Sequence, residues 1–473
     1  MDSGQPSNQT ESSLNADFQR LTRAFANERM PDAASRRARL KKISLLLREN
    51  GAVLAAAIAA DFSHRSSHET QLLEIFPAMS AAKHAHQHVQ SWMRAKKSWA
   101  SLWFLPARNE LRPQPLGVVG IIVPWNYPVL LAIGPMVAAI AAGNRVMVKM
   151  SETTPQTGAL FAELVHRYFN RDEVIVVNGE AAVAAAFSAL PFDHLLFTGS
   201  TTIGKIVMQA AAKNLTPVTL ELGGKSPAIV GTDASIKDAA EKIMFGKCLN
   251  AGQTCIAPDY VLLPRGSESA FIAAAKATVT RQYPALADNA DYTAIVNPRQ
   301  AARLNGYLDE AIIKGAVIMP LAEPSIQNTQ KIVPTIVINT KDELGLMQNE
   351  IFGPILPLIG YDTLNDAIDY VNARPRPLAL YYFGHTQRDI DQVLDQTISG
   401  GVSINETIMH ISQEDLPFGG VGQSGMGSYH GKFGFDTFSR LKPIFHQSRF
   451  NGLFLFKPPY GRRFEALIKF LMK

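Results

Sequence analysis

Three residues stand out for the chemistry their side chains and settings could support. Cys255 closes the run Asn250-Ala-Gly-Gln-Thr-Cys255. A glycine and small polar residues before it allow a tight turn that exposes the thiol as a nucleophile. A cysteine also serves as a small buried hydrophobe. Cys248 falls in an apolar helical stretch and reads as packing. Were that helix to continue, the two sulfurs would sit about 10 Å apart along its axis, too far for a disulfide. Glu221 opens Glu221-Leu-Gly-Gly-Lys-Ser-Pro227, directly after an apolar run at 217–220. A carboxylate at the carboxyl end of a parallel strand faces the ligand crevice; a surface glutamate before a turn has the same pattern. Asn126 lies in Pro124-Trp-Asn-Tyr-Pro128, a loop stiffened by two prolines. Its amide could donate to a developing oxyanion or fill a turn.

Other runs have the types needed to hold a ligand. Phe197-Thr-Gly-Ser-Thr-Thr-Ile-Gly204 follows a predicted strand and opens a predicted helix, where free N–H groups hold phosphate. It is neither G-x-G-x-x-G nor a Walker A loop, and any N-cap can look like it. Lys149 and Glu152, in Val148-Lys-Met-Ser-Glu152, end another strand and suit ribose hydroxyls or a solvated strand end. His84 and His88 share a helical face, with His86 between them. No acidic or cysteine ligand is near in the sequence, and a metal site needs three or four converging ligands, so no metal is expected.

The elements that must position these groups read as α/β. Residues 14–95 have helical spacing, with Leu40, Ile43 and Leu47 on one face and an alanine-rich stretch at 50–60. From 116, short apolar runs at 117–123, 145–149, 173–177, 194–197 and 217–220 alternate with helical stretches. That rhythm is a parallel sheet. A second set follows Gly224, with strands near 226–230, 259–264, 331–338, 355–360 and 379–384. At 473 residues the chain is long enough for two large domains with their own cores. Two doubly wound parallel-sheet domains are expected, with ligands beyond the strand ends where the domains meet.

Composition narrows the function classes. Two cysteines exclude a disulfide scaffold and a cysteine-built zinc site. The N-terminus lacks a secretory pattern, and residues 1–13 are polar enough to be disordered. The uncharged stretch 113–144 is broken by Pro124, Pro128 and Pro135 and reads as buried strand and helix rather than a span. The net charge of +5 sits in the last 34 residues. Eight basic residues there face one acid, Glu465, so residues 440–473 carry +7 and the rest −2. A nucleic-acid partner is not expected of a nearly neutral body. Phe464, Leu467, Ile468 and Leu471 fall on one helical stripe among Arg462, Arg463, Lys469 and Lys473. Such a helix packs on protein or lies in a membrane interface. A cytoplasmic protein is expected, with peripheral membrane contact through this tail as the alternative to packing.

Taken together the motifs resemble the aldehyde dehydrogenase superfamily. They are Pro124-Trp-Asn-Tyr-Pro128, Phe197-Thr-Gly-Ser200, Glu221-Leu-Gly-Gly-Lys-Ser-Pro227, Gly252-Gln-Thr-Cys255, Glu350-Ile-Phe-Gly-Pro354 and the glycine-rich run 417–427. Cys255-Ile-Ala-Pro-Asp-Tyr260 and Gly425-Met-Gly-Ser-Tyr-His-Gly431 are similar to the class 3 branch. Residues 61–70 and 101–106 are similar to its bacterial coniferyl aldehyde members. Met150 departs from the family, which usually has proline there.

The resemblance implies oxidation of an aldehyde to a carboxylic acid. Cys255 would be the nucleophile, Asn126 an oxyanion donor and Glu221 the base for hydrolysis. Trp125, Lys149, Glu152, Gly199, Ser200, Gly204, Glu350 and Phe352 would bind NAD, with NADP as an alternative. A coniferyl-type aromatic aldehyde is the implied substrate; medium- or long-chain aliphatic aldehydes, or acyl transfer to coenzyme A, are the alternatives. The implied architecture is a Rossmann-like cofactor domain at 14–220 interrupted by a flap segment at 97–115, a catalytic domain at 221–410, an oligomerisation flap at 411–440 that builds a homodimer, and the tail at 441–473.

Overall fold

Apolar runs form the centre of two parallel sheets. A computed structural model describes residues 11–323 and 330–472. Residues 1–10, most of the polar N-terminus, lie outside the described residues, as does Lys473. Residues 11–13, expected to be disordered, instead start the helix Glu11–Asn27. Leu14, Phe18 and Leu21 bury one face of that helix, and the Phe18 ring meets Phe192 edge-on at 5.4 Å.

The first sheet has six strands in the order Gly425–Met426, Val218–Leu222, His194–Gly199, Val118–Ile122, Arg145–Lys149, Val174–Val177. All are parallel except the short first one. Every residue of Val118–Ile122, Arg145–Lys149 and Val174–Val177 is buried, as expected of strands covered on both faces. Val119, Ile121, Val146 and Val148 pack in one core with the helices Ala33–Asp61 and Leu130–Ala142. Val118, Ile122 and Met147 face the opposite way, into a core with Phe187 and Val207.

The second sheet has seven strands, Val317–Pro320, Thr335–Ile338, Ile355–Tyr361, Tyr260–Pro264, Pro227–Val230, Ala379–Phe383 and Gly401–Ile404, in that spatial order. Again only one edge, Val317–Pro320, is antiparallel. Helices cover both faces, so both sheets are doubly wound, as expected.

The structure moves three expected boundaries. The strand Val218–Leu222 runs past residue 220, so Glu221 lies inside the first sheet, at its carboxyl end and opposite Gly425. Gly425–Met426, from the segment expected only in a flap, completes that sheet's edge. A separate antiparallel sheet joins Lys96–Trp99, Arg108–Pro115 and Ser439–His446. Ser439–His446 straddles the boundary at 440 because it pairs with Arg108–Pro115 along its whole length. The stretch 113–144 is strand, loop and the 13-residue helix Leu130–Ala142. Among the described residues only Ala33–Asp61 is long and apolar enough to cross a membrane, and Leu40, Ile43, Leu47, Leu54 and Ile58 sink it into the core.

Candidate active site

The helix Ile236–Cys248 ends two turns before Cys255. Asn250, Ala251 and Gly252 then take successive positive φ values of 50°, 51° and 73°. Two of these residues carry a Cβ and are strained there, at a cost of order 1 kcal/mol or more each. A side chain at 252 would meet the Gly353 carbonyl at 2.4 Å, so glycine is required on both counts. Buried polar groups hold the strain in place. The Glu69 carboxylate accepts from the Asn250 amide and from the Thr293 hydroxyl at 2.6 Å. The Gln253 amide donates to the Asn250 and Ala294 carbonyls and accepts from the Val296 amide. Cys248 is fully buried, and burial pushes its thiol up to about 12.

Cys255, Glu221, Thr198, Tyr127, Phe418 and Tyr429 line one cavity of about 60 Å³. Among these, neither oxygen of Glu221 nor the hydroxyl of Thr198 has a partner in the protein. Burial raises the Glu221 carboxyl well above its usual range. Burial first, then the Glu350 and Glu221 carboxylates, raise the Cys255 thiol. A buried carboxyl of raised basicity and a buried thiol on one cavity have the chemistry to serve as base and nucleophile.

Asn126 reaches the same loop from the cofactor sheet. Its Nδ2 donates to the Gln253 carbonyl at 3.2 Å, which engages one of its two N–H groups. Its own carbonyl accepts from Arg65 Nη1 at 2.9 Å and from Asn250 Nδ2. Arg65 and Glu74, both with fully buried side chains, approach to 2.9 Å. The other Glu74 oxygen accepts from the Val129 and Leu130 amides, which fixes the start of the helix Leu130–Ala142. Arg65 also lies over the Phe62 and Tyr127 rings. Arg65, Glu69, Glu74 and Gln253 were not singled out from sequence. For the three charged residues the one available signal was charge inside a predicted helical stretch, which usually marks a solvated face, and Gln253 showed only as part of the cysteine run.

The cofactor candidates gather at the carboxyl ends of the first sheet. Gly199 ends a strand, and Ser200 caps the helix Thr201–Ala212 by accepting from the Ile203 amide. That leaves the Thr201 and Thr202 amides free for an anion. A side chain at Gly204 would meet Leu222 at 2.6 Å, so this glycine lets helix and strand pack closely. Lys149 is buried and donates to the Met150 carbonyl at 2.5 Å, and its Nζ stands 4.0 Å from the half-exposed Glu152 carboxylate. Trp125 and Phe352 meet edge-on at 5.3 Å, the latter with a φ of 49°.

Glu350 lies in the loop between the helix Gly345–Gln348 and the strand Ile355–Tyr361 of the second sheet. Its Oε1 is buried without a partner, and burial, then the Asp259 charge, push its carboxyl up to about 8. Gly223 lies so close that a Cβ there would collide with it. Lys225 pairs with Asp259 and donates to the Leu346 and Asn349 carbonyls, which fixes the segment bearing Glu350. Free amides, an orphaned carboxylate and ribose-reaching groups on one crevice fit a nicotinamide dinucleotide. The histidines form no such set. His84 and His88 stack at 4.3 Å, and among the described residues no group of three or more ligands is placed to hold a metal.

The Cys255 cavity continues outward. It shares Leu73, Leu130, Leu249, Ile408, Ile411 and Tyr429 with a second chamber of about 310 Å³. Leu72, Phe76 and Met409, all largely exposed, stand at its mouth.

Comparison with known proteins agrees with this geometry. Residues 3–444 match the model of the aldehyde dehydrogenase family. The chain is 53% identical to a probable coniferyl aldehyde dehydrogenase of Pseudomonas aeruginosa, over 98% of this chain and 97% of that one. It is 46% identical to a coniferyl aldehyde dehydrogenase of a Pseudomonas species, over 97% and 96% respectively. A solved structure described as the substrate-bound state of Staphylococcus aureus AldH superposes with a TM-score of 0.91 at 36% identity, covering 97% of this chain and 99% of that one. With its crevice, its cysteine loop and a family match over nearly its whole length, the chain belongs to the aldehyde dehydrogenase family and is an oxidoreductase acting on aldehydes.

Proposed function

We propose that Cys255 attacks the aldehyde carbon and that the product acid leaves after water, activated by Glu221, cleaves a thioester. The observation that carries this reading is one apolar cavity lined by both residues, in which the Glu221 carboxylate has no protein partner. Glu221 holds water against the acyl carbon and takes its proton, at an oxygen that no protein group occupies. The Cys255 backbone N–H and the second N–H of Asn126 stabilise the oxyanion of the thiohemiacetal. A bound nicotinamide dinucleotide supplies the hydride acceptor that takes the thiohemiacetal to the thioester. Lys149 and Glu152 hold its adenosine ribose, Gly199, Ser200 and the helix start its phosphates, and Glu350, Phe352 and Trp125 its nicotinamide end. Glu152 favours NAD, because a 2′-phosphate would face a like charge; NADP is the alternative. A base at position 221 also argues against release of the acyl group to coenzyme A.

The substrate we propose is an aromatic aldehyde of the coniferyl type, supported by the names of two relatives and by the chamber's apolar walls. The exposed Leu72, Phe76 and Met409 at the mouth favour a second reading, medium- or long-chain aliphatic aldehydes. An aldehyde panel ranked by kcat/KM separates them. Aromatic substrates should lead by about tenfold, and an equal lead for aliphatic ones overturns the first reading. We further propose a cytoplasmic homodimer whose C-terminal helix packs on protein, with a lipid interface as the alternative.

A further inference from the structure

The chamber outside the Cys255 cavity is mostly apolar, with Ser80 and Ser412 its polar residues besides a corner that holds an acid and an imidazole. Alanines and leucines of the helices Phe76–Trp92 and Leu130–Ala142 form its long walls. Against them stand Glu414 and His430, from the segment that folds back over the crevice. Tyr429 lines both the chamber and the inner cavity, so the corner lies one tyrosine side chain beyond the reacting thiol.

Of the two corner groups, His430 keeps a ring nitrogen unused by the protein, and Glu414 accepts from the Gly431 amide. The His430 ring stacks on Phe418 at 5.4 Å, and Phe418 is itself a wall of the inner cavity. Burial keeps the imidazole neutral, with its acidity moved to about 4, so it offers one donor and one acceptor. Its Nδ1 is buried and has no partner. The ring is fixed by a backbone φ of 106° at His430, which β-carbon-bearing residues rarely adopt. Burial pushes the Glu414 carboxyl up to about 7, and the Gly431 amide offsets that only in part. A buried imidazole nitrogen left unsatisfied in a largely apolar chamber costs stability unless something with a matching polar atom enters.

We propose that Glu414 and His430 recognise a hydroxyl group carried at the far side of an aromatic aldehyde held by Cys255. The inference rests on the aromatic-aldehyde reading above and adds the residues that select the ring substituent. A phenolic hydroxyl that hydrogen-bonds His430 Nδ1 satisfies an atom that is otherwise orphaned, and the Glu414 carboxylate can accept from the same hydroxyl. An unsubstituted ring or an alkyl chain leaves the His430 Nδ1 unpaired, which is the arrangement that discriminates most strongly between substrates.

The test compares kcat/KM for 4-hydroxy-3-methoxycinnamaldehyde with that for cinnamaldehyde in the full-length enzyme. The wild type should prefer the hydroxylated substrate. Glu414→Leu should lower that ratio by about tenfold or more while cinnamaldehyde is still oxidised within about threefold of wild type. Glu414→Gln, which keeps the side chain's shape, and His430→Asn, which tolerates the positive φ, should each lower it by a smaller factor. A general loss of folding or of catalysis moves both substrates together and leaves the ratio alone. A ratio within about twofold of wild type in all three variants overturns the proposal. A wild type that favours aliphatic aldehydes over both cinnamaldehydes instead overturns the substrate reading itself, whatever the variants do.

Discussion

The chain around Cys255 and the chain beyond Ser439 are held in different ways. In the first, three left-handed residues in a row are held by Glu69 and Thr293 from distant segments and by the neighbouring Gln253, which ties the loop to Ala294 and Val296. In the second, one strand is anchored and the rest stands outside. Phe450, Phe454 and Phe470 are 81%, 70% and 66% exposed, and the helix Arg462–Leu471 buries no residue. A reacting side chain has to be over-determined, because misplacement by 1 Å costs orders of magnitude in rate. A surface helix is set by its own periodicity, and its partner is recorded nowhere else in the fold. Changes in the first region should therefore be felt through the whole reaction, and changes in the second only where a partner is present.

The largest effect should come from the thiol and its base. Cys255→Ala should lower kcat by about 10⁴-fold or more while cofactor binding, followed by fluorescence titration, stays within a few-fold. Activity near wild type would take the nucleophile away from this loop. Glu221→Gln should act differently. Stopped-flow mixing should show a burst of reduced cofactor followed by steady-state turnover lowered about 10²- to 10³-fold, since the base for hydrolysis is gone. Loss of the burst itself would mean that Glu221 is needed for the first half-reaction as well.

Next in size is the buried pair behind Asn126. Arg65→Met leaves Glu74 charged and uncompensated in a dry interior, which costs about 3–5 kcal/mol. Urea unfolding should report it as a lower midpoint at unchanged slope. Because Arg65 also holds the Asn126 carbonyl, kcat should fall in the native protein too. Combining Arg65→Met with Glu74→Gln should recover much of the stability and little of the rate. Recovery of both would show that Arg65 matters to folding alone.

The pH profile sharpens the same region. Both reactive groups work deprotonated, and burial raises both. A raised ionisation point leaves less of the active form at neutrality, so in this mechanism kcat/KM should climb as the pH rises above neutrality. Glu221 is also one of the two carboxylates that disfavour the Cys255 thiolate. Removing its charge in Glu221→Gln should move the acid limb of the burst rate to lower pH. A shift to higher pH would show Glu221 acting on the thiol as a base more than as a like charge.

How much of this was legible depended on where a residue's reason lay. Cys255, Glu221 and Asn126 sit in runs whose glycines and prolines reveal a turn, and the structure places all three around one loop. Fully buried parallel strands such as 145–149 are visible as apolar runs because both faces are covered. Glu221 was placed after its strand rather than in it, since a carboxylate looks like a strand end until Gly425 is seen paired to it. Val317–Pro320 and Gly401–Ile404, short edge strands with half-exposed patterns, gave no run to read. Arg65 and Glu74 were hidden because charge in a helical stretch usually means solvent, and their reason for burial is a loop more than 50 residues away. Glu414 and His430 were hidden in the same way, for their reason is a chamber that exists only once three helices and the returning segment meet.

The smallest effect should come from the tail. Truncation before Pro458 removes the helix Arg462–Leu471, which contributes no buried residue. The change in unfolding free energy should stay under about 1 kcal/mol, and kcat/KM for a small aldehyde within about twofold. What the truncation does change identifies the tail's partner. If the helix packs on a second subunit, sedimentation should show a weaker dimer, and vesicles of any lipid should make no difference. If it lies in a membrane interface, the mass in solution should be unaltered, while co-sedimentation with anionic vesicles is lost and the loss is greatest at low salt, because Arg462, Arg463 and Lys469 supply the attraction. A truncated enzyme with its rate reduced tenfold on small and large aldehydes alike would bring the tail into the catalytic region and end the contrast between the two.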